Sequence, residues 1–291
     1  MESNKNVLMK YFYDTEFLEG AQKKRWWSIE KVKPTIDLIS IGIVCEDGRE
    51  YYAISKDFNL KEAWNRYDVL EQTPFEKYNG SKGKKSYWIR ENVLIPIFFE
   101  LAERDFHNIH FKDEWIYEGK IVDLSVFKTN DKWTSNLEWF KNLINKYGKT
   151  NNQISKEIKN FCYLDKETID NGGQIVSASF IPNKYPNIQL YGYYSAYDHV
   201  ALCWLFGKMV DLPKGMPMFT HDLKQNLNEV ANTYLSKTLS APIVSSDWHP
   251  NYALDNLKQD FKSHYPKQEN EHNALSDAKW NFELYKFLEK V

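Results

Sequence analysis

The sequence has few of the features that mark membrane, secreted or disulfide-bonded proteins. No apolar run approaches the roughly 18–20 residues that span a bilayer, and the opening MESNKNVLMK has no apolar stretch typical of a secretory signal. The only cysteines are Cys45, Cys162 and Cys203, and they form no Cys-x-x-Cys pair. We therefore expect a reduced, cytoplasmic protein that makes no membrane contact.

An excess of positive charge is also absent. Lys and Arg total 38 against 40 Asp and Glu, which gives a formal net charge of −2. Proteins that read duplex DNA are usually more basic, but an enzyme can draw positive potential from bound metal ions. Aromatic residues, in contrast, reach 16%, enough to fill a core and leave rings for stacking on a planar ligand.

Alternating apolar residues and turn signals predict an α/β protein that opens with three strands in series. Strands are expected at about 9–18, 36–44 and 50–58, and the turn EDGR joins the last two. Short connections favour an antiparallel meander.

Helical spacing dominates the rest of the chain, apart from one further strand. The strand is expected at 188–194, and helices at 87–104 (interrupted by Pro96), 152–162, 199–209, 221–235 and 274–289. His221 and Asp222 are expected to start a helix. The series predicts a mixed sheet flanked by helices in a single domain, with a polar insertion at about 100–150.

Asp14 and Glu16 end the first predicted strand, two positions apart. Because side chains alternate along a strand, both carboxylates point to the same face. Like charges at the end of a buried strand repel each other and resist loss of water, so a positive group is expected between them.

Two further acidic positions and a histidine complete the set. Asp198 falls between a predicted strand and a helix, and ligands of open α/β sheets gather where strands end. Asp277 shares a helix face with Ala274, Ala278 and Asn281, and the small alanines would let that face lie close to the sheet. His272 would lie at or before the first turn of that helix.

Each of these residues alone has a simpler structural explanation. Asp198 could cap a helix, Asp277 could be a solvated helix residue, and His272 could belong to a turn. Together, four carboxylates and one imidazole fit two-metal phosphodiester hydrolysis. Two divalent ions, Mg²⁺ or Mn²⁺, prefer such oxygen ligands, and a histidine can take the proton of an attacking water.

The motifs match a known family in order and in spacing. Asp-x-Glu at 14–16, a central Asp198 and His-x4-Asp at 272–277 resemble the DEDDh 3′-5′ exonucleases of the ribonuclease H-like fold. The segments YFYDTEF, LISIGIV, AYDHVALC and HNALSDA also resemble the polyadenylate-specific exoribonucleases of mycobacteria. The resemblance covers roughly residues 8–58, 87–96, and much of 150–235 and 268–290.

The resemblance implies one 3′-5′ exonuclease domain over residues 1–291, with extra segments at about 21–34 and 100–150. It implies a metal-dependent enzyme that shortens single-stranded RNA from the 3′ end, with adenosine-rich tails as a candidate substrate, and releases nucleoside 5′-monophosphates. It also implies a homodimer.

Roles follow residue by residue from the same resemblance. Asp14 would bridge both ions, Glu16 and Asp198 would complete their coordination, and Asp277 would hold the ion that carries the catalytic water. His272 would be the general base.

The resemblance also implies contacts to the substrate. Thr15 and Phe17 would face the 3′-terminal sugar, where a contact to the 2′-hydroxyl would favour RNA.

Several aromatic residues are candidates for stacking on bases. Trp26 and Trp27 follow a basic run, and the alternative to stacking is that they pack on the domain or on a second subunit. Of Tyr193, Tyr194 and Tyr197, we expect at least one to pack inward, and another could line the substrate groove.

Other patterns have weaker support. Lys82, Lys84 and Lys85 could contact phosphates or form a solvated loop. His107 and His110 have zinc-like spacing but no supporting ligand motif.

Two rivals remain open. The same chemistry could act on DNA, or the chain could be a catalytically silent nucleic-acid-binding module with this fold.

Overall fold

The structure, a computed structural model, describes residues 8–21, 34–71, 73, 78–79, 83–105, 114–117, 120–123, 134–163, 187–238 and 251–291. The chain divides into two compact units. The first unit takes its described residues from Met1–Phe17, Leu38–Ala53 and Asn151–Val291, and the second from Leu18–Asp37 and Ile54–Thr150.

The strands within these ranges are β1 Leu8–Gly20, β2 Thr35–Cys45, β3 Glu50–Ile54, β4 Asp68–Val69, β5 Lys85–Ser86, β6 Glu114–Tyr117, β7 Lys120–Asp123, β8 Asn187–Gly192 and β9 His221–Asp222. The α-helices are α1 Leu60–Asn65, α2 Ile95–Asp105, α3 Thr134–Tyr147, α4 Asn151–Tyr163, α5 Ala196–Leu205, α6 Leu223–Thr238, α7 Tyr252–Asp260 and α8 Ala274–Leu288. A π-helical turn, Arg90–Leu94, precedes α2, and a short 3₁₀ turn lies at Met209–Asp211.

Five strands form a mixed sheet in the order β3-β2-β1-β8-β9. β1 runs parallel to β8, with Phe12 opposite Tyr191, and β8 runs parallel to β9. β2 and β3 are neighbours joined by only four residues, a link too short for a parallel crossover, so they form an antiparallel hairpin. The predicted α/β class with a mixed sheet flanked by helices is confirmed.

Apolar side chains from β1, β8 and three helices form the core of the first unit. Phe12 lies 5.2 Å from the Tyr191 ring and 4.8 Å from the Phe282 ring, measured between centroids. Leucines of α6 and α7 are buried in the same cluster as Trp280 and Leu284 of α8. This packing fixes α8 against the sheet that carries Asp14 and Glu16.

α8 approaches β2 without intervening side chains. A Cβ atom added at Gly42 would lie 2.3 Å from the carbonyl oxygen of Ala274, and Ala274 and Ala278 are fully buried. The small residues therefore let the helix backbone touch the strand, as the alanine spacing predicts.

The second unit has an aromatic core of its own. Phe98 of α2 packs edge-on against Trp139 and Phe140 of α3, at 4.7 and 5.5 Å between ring centroids. Trp64 of α1 also packs on Phe140. The predicted insertion at about 100–150 contributes α3 to this core.

The helix predicted over 87–104 is not broken at Pro96. The chain instead forms the π-helical turn, in which the Ile95 N–H donates to the Arg90 carbonyl, and continues into α2. A proline has no N–H to donate, and a π-helical turn is one way for a helix to accommodate the missing bond.

The expectation that His221 and Asp222 start a helix is wrong. Both form β9, where His221 stacks on Tyr191 at 4.7 Å between ring centroids. The helix begins one residue later, because the Asp222 carboxylate accepts the Lys224 N–H at 2.8 Å in the manner of a helix cap. His221 and Asp222 therefore pair with β8 as a strand, although the local pattern predicts that they belong to the helix.

Strand and helix bounds differ from prediction by a few residues at several other places, of which two are the clearest. β3 ends at Ile54 rather than near residue 58, and α5 occupies Ala196–Leu205 rather than 199–209. Gly207 follows α5 with φ of 108°, a conformation that favours glycine and ends the helix.

None of the helices in the described part of the chain is long and apolar enough to cross a membrane. Cys45, Cys162 and Cys203 are buried and free.

Candidate active site

β1 brings two carboxylates to one face in its middle part, and the strand continues past them to Gly20. Asp14 is partly buried and Glu16 is 9% exposed, while Thr15 between them is buried. Asn281 of α8 donates its side-chain N–H to the Tyr13 carbonyl at 3.0 Å, which ties the strand to the helix just before Asp14.

Asp198 lies in the first turn of α5 and is held by Thr15. The Thr15 backbone N–H donates to Asp198 Oδ1 at 3.0 Å, and the Thr15 hydroxyl donates to the same oxygen at 2.6 Å. The middle residue of the Asp-Thr-Glu motif therefore orients the third carboxylate, and its side chain is only 4% exposed.

Both oxygens of Asp277 accept hydrogen bonds from the segment that precedes α8. Gln268 Nε2 donates to Oδ1 at 2.7 Å, and the His272 backbone N–H donates to Oδ2 at 2.8 Å. His272 has φ of 67°, in the left-handed region that non-glycine residues rarely adopt. Strained backbone of this kind is enriched at functional sites.

The His272 imidazole lies beside the second carboxylate of β1. Its Nδ1 atom is 3.8 Å from Glu16 Oε1. Glu16, His272 and Asp277 each offer one potential ligand atom, and these three atoms all lie within 4.8 Å of one another.

The electrostatics show that the four carboxylates form one group. Burial raises the pKa of Asp14 well above its usual range, and the charges of Asp198, Glu16 and Asp277 raise it further. Burial, followed by Asp277 and Asp198, does the same to the pKa of Glu16.

The hydrogen bonds only partly offset this effect at the other two positions. Burial raises the pKa of Asp198 to about 6, although the bonds from Thr15 lower it. Burial also raises the pKa of Asp277, against the bonds from Gln268 and the His272 N–H.

No lysine or arginine among the described residues pairs with any of the four carboxylates. Clustered carboxylates whose charges raise the pKa of two of them, Asp14 and Glu16, offer the oxygen ligands that fit a hard divalent cation. The donor set is therefore chemically suited to Mg²⁺ or Mn²⁺.

Aromatic side chains border this group. The Phe17 ring packs edge-on against Tyr197, at 5.9 Å between centroids, and Tyr197 is 52% exposed. Tyr194 is 65% exposed, with φ of 54°, whereas Tyr193 packs inward against Trp280. One tyrosine of the three thus packs inward, as expected.

The remaining sequence candidates are of two kinds. Trp26, Trp27, Lys82, His107 and His110 fall outside the described residues. Lys85, in the second unit, places its Nζ atom 4.1 Å from the centroid of the Tyr67 ring.

Gln268 is the contact that sequence reasoning missed. It lies in an irregular segment nine residues before Asp277, so no helical or strand spacing connects the two.

With this fold and geometry, the chain is similar to proteins of one described activity. It is 28% identical over 217 residues to two proteins named 3′-5′ exoribonucleases, from the CDC 1551 and H37Rv strains of Mycobacterium tuberculosis. Each alignment covers 75% of this chain and 73% of the relative. No protein-family model matches the sequence.

Proposed function

We propose that this protein is a divalent-metal-dependent 3′-5′ exoribonuclease that removes nucleoside 5′-monophosphates from single-stranded RNA. The observation that carries the proposal is the cluster in which Glu16, His272 and Asp277 offer potential ligand atoms within 4.8 Å of one another. The charges of Asp198 and Asp277 also raise the pKa of Asp14 and of Glu16. Similarity to two proteins named 3′-5′ exoribonucleases supports the reaction class and the RNA substrate.

The four carboxylates are the residues that would hold two divalent ions. Asp14 is the natural shared ligand, because the charges of all three other carboxylates affect it. Bound Mg²⁺ or Mn²⁺ would activate the attacking water and stabilise the leaving oxygen of the phosphodiester.

The protein's own groups would then orient the ligands and move the proton. Thr15 fixes Asp198 through one oxygen, and Gln268 with the His272 N–H fixes both oxygens of Asp277. We assign His272 as the general base, because its imidazole is partly exposed beside Glu16.

Recognition of the 3′ end is proposed on two features. Exposed Tyr194 and Tyr197, the latter against Phe17, offer ring faces for stacking on bases. The resemblance to polyadenylate-specific enzymes makes an adenosine tail the first substrate to try. Because Thr15 donates both its hydroxyl and its backbone N–H to Asp198, we propose that Thr15 orients this carboxylate and that the neighbouring Phe17 contacts the 3′-terminal sugar.

Some features of the proposal rest on the sequence alone. A stacking role for Trp26, a homodimer, a single exonuclease domain and a cytoplasmic location stay predictions.

The proposal is tested with a 5′-labelled single-stranded RNA that carries a 3′ adenosine tail, incubated with Mg²⁺ or Mn²⁺. Matched reactions contain EDTA, the Asp277→Ala variant, or a DNA strand of the same sequence. We expect a ladder that shortens from the 3′ end with metal only, absent in the variant, and weaker on DNA.

The alternative outcomes separate the rivals. Faster shortening of DNA would make the chain a DNA exonuclease. Binding without cleavage of either strand, with either metal, would favour the silent binding module.

A further inference from the structure

Two neighbouring helices of the first unit each carry a lysine beside an aromatic ring. Lys224 is the second residue of α6 and Lys258 is in α7, and the two helices pack through Leu223, Leu227 and Leu257. Both lysines are partly buried. Burial, followed by the charge of Lys258, lowers the pKa of Lys224.

Neither ammonium group is neutralised by an ion pair among the residues that the structure describes. The nearby carboxylate of Asp222 favours the charged form of Lys224. Its Oδ1 atom is engaged by two backbone N–H groups, those of Tyr194 and Lys224, at 3.3 and 2.8 Å. Two partly buried cations that make no such ion pair, beside a carboxylate already engaged by backbone groups, are suited to a phosphate.

Each lysine lies beside an aromatic ring of the first unit. Lys224 Nζ lies 5.9 Å from the centroid of the exposed Tyr194 ring, and Lys258 Nζ lies 5.1 Å from that of Tyr265. Tyr193 contacts the Tyr194 ring at 4.9 Å. Burial and the neighbouring Tyr193 raise the pKa of Tyr265, which precedes Gln268 by three residues. Gln268 in turn donates to Asp277.

We propose that Lys224 and Lys258 bind a backbone phosphate of single-stranded RNA on the 5′ side of the cleaved bond, while the Tyr194 ring stacks on the adjoining base. Cations that track the backbone and rings that stack on bases are the general means of binding single strands. This inference rests on the proposed function.

The 5′ side follows from the reaction. A 3′-5′ exonuclease releases one nucleotide from the 3′ side of the bond that it cuts, so the strand continues only in the 5′ direction. A dinucleotide has only the phosphate that is cleaved and cannot reach a second phosphate site. An octanucleotide can, so the lysines should matter only for the longer substrate.

The experiment compares KM and kcat for a dinucleotide and an octanucleotide in wild type, Lys224→Gln and Lys258→Gln. Lys237→Gln is the matched control, because Lys237 is an exposed lysine in the last turn of the same helix. We expect each of the first two variants to raise KM for the octanucleotide by about tenfold. KM for the dinucleotide, kcat, and both constants of the control should stay unchanged.

Binding provides a second measurement that does not need cleavage. In an Asp14→Asn background, fluorescence anisotropy of a labelled octanucleotide should show weaker binding for Lys224→Gln. The dependence of log affinity on log salt should lose about 0.7 in slope for the lost phosphate contact.

Failure of the subsite and failure of the proposed function give different results. If wild type cleaves RNA but the KM ratio between the two substrates is the same in all variants, the lysine site is wrong and the function stands. If wild type cleaves nothing, the proposed function is wrong, and the anisotropy series alone decides whether the lysines bind RNA.

Discussion

At the residue scale, the central feature is a carboxylate that is costly to keep. Burial raises the pKa of Asp14, and so do the charges of three other carboxylates, those of Asp198, Glu16 and Asp277. An ionised carboxylate in this position lowers the free energy of unfolding unless a cation binds there. Functional sites commonly keep groups that lower stability in this way.

Replacing Asp14 with the near-isosteric asparagine should therefore stabilise the protein and inactivate it. In EDTA, Asp14→Asn removes a repelling charge, and we expect Tm to rise by about 2–4 °C for each kcal/mol of relieved repulsion. The rate of RNA cleavage should fall by more than about 10²-fold. Loss of a residue that only hydrogen-bonds to a metal ligand usually costs up to about 10²-fold, and loss of a ligand itself should cost more. Thermal melts and timed cleavage measure the two effects, and a lower Tm together with full activity would contradict both.

His272 should affect the rate and not the binding of metal. His272→Ala leaves the four carboxylates in place, so Mn²⁺ uptake measured by calorimetry should persist while kcat falls by about 10²-fold or more, as expected for a general base. His264 is an exposed histidine in the same irregular segment before α8, and His264→Ala serves as the control with unchanged kcat. Normal turnover in His272→Ala would remove the imidazole from the mechanism.

Sequence reasoning could place Asp14 and Glu16 on one face because strand alternation is strictly local. It could not find Gln268, since a bond between an irregular segment and a helix depends on how the chain closes in three dimensions. Thr15 shows the same limit: its position was clear, but the direction of its hydroxyl toward Asp198 was not.

At the element scale, the site depends on how closely α8 approaches β2. The contact between Gly42 and Ala274 leaves no room for a side chain, and α8 carries Asp277 three residues further on. A displaced helix would therefore move one carboxylate relative to the two on β1.

Gly42→Ala should test this dependence. We expect a loss of about 1–3 kcal/mol in the free energy of unfolding, the usual cost of overpacking, together with a lower kcat and weaker Mn²⁺ binding. Gly48 has φ of 90°, and a Cβ atom added there would meet no other atom within 4 Å, so Gly48→Ala should add backbone strain only. An equal loss of kcat in Gly42→Ala and Gly48→Ala would show that catalysis does not depend on the close contact between α8 and β2.

The elements predicted from the sequence are mostly of the predicted type, because periodicity is visible over ten or more residues, whereas α3 and α7 were not predicted. The bounds were less so where tertiary contacts compete with local pattern. β9 forms because His221 and Asp222 pair with β8, and the π-helical turn before α2 replaces the break expected at Pro96.

At the scale of the whole molecule, pH and metal should act on stability through the same carboxylates. An unfolded chain ionises these groups near pH ~4, whereas the folded chain holds the Asp198 proton to about pH 6. Between about pH 4 and 6 the unfolded state therefore binds fewer protons than the folded state. Rising pH favours the state with fewer protons, so the free energy of unfolding of the metal-free protein should fall over this range.

Melting in EDTA and in Mn²⁺ across this range measures the effect. Tm in EDTA should fall less with rising pH for Asp198→Asn than for wild type, because the variant has no such proton to lose. Mn²⁺ should raise Tm more at pH 8 than at pH 5, since metal ligands must be deprotonated. Identical dependence of Tm on pH in the two proteins would mean that folding does not raise the pKa of Asp198.

The division into two units was the least predictable property of the chain. The second unit draws on Leu18–Asp37 as well as Ile54–Thr150, and its aromatic core joins helices far apart in sequence. Local sequence patterns do not indicate contacts between such distant helices. The carboxylate motifs of the first unit, in contrast, are short and can be recognised in the sequence itself.

The most direct test of the central claim follows the first nucleotide released. RNA labelled on its 3′-terminal nucleotide is mixed with wild type or Asp14→Asn, in Mn²⁺ or EDTA, and the labelled product is identified by mass. The account predicts a nucleoside 5′-monophosphate from wild type in Mn²⁺ only. Release of a longer labelled fragment, or equal release by Asp14→Asn, would contradict it.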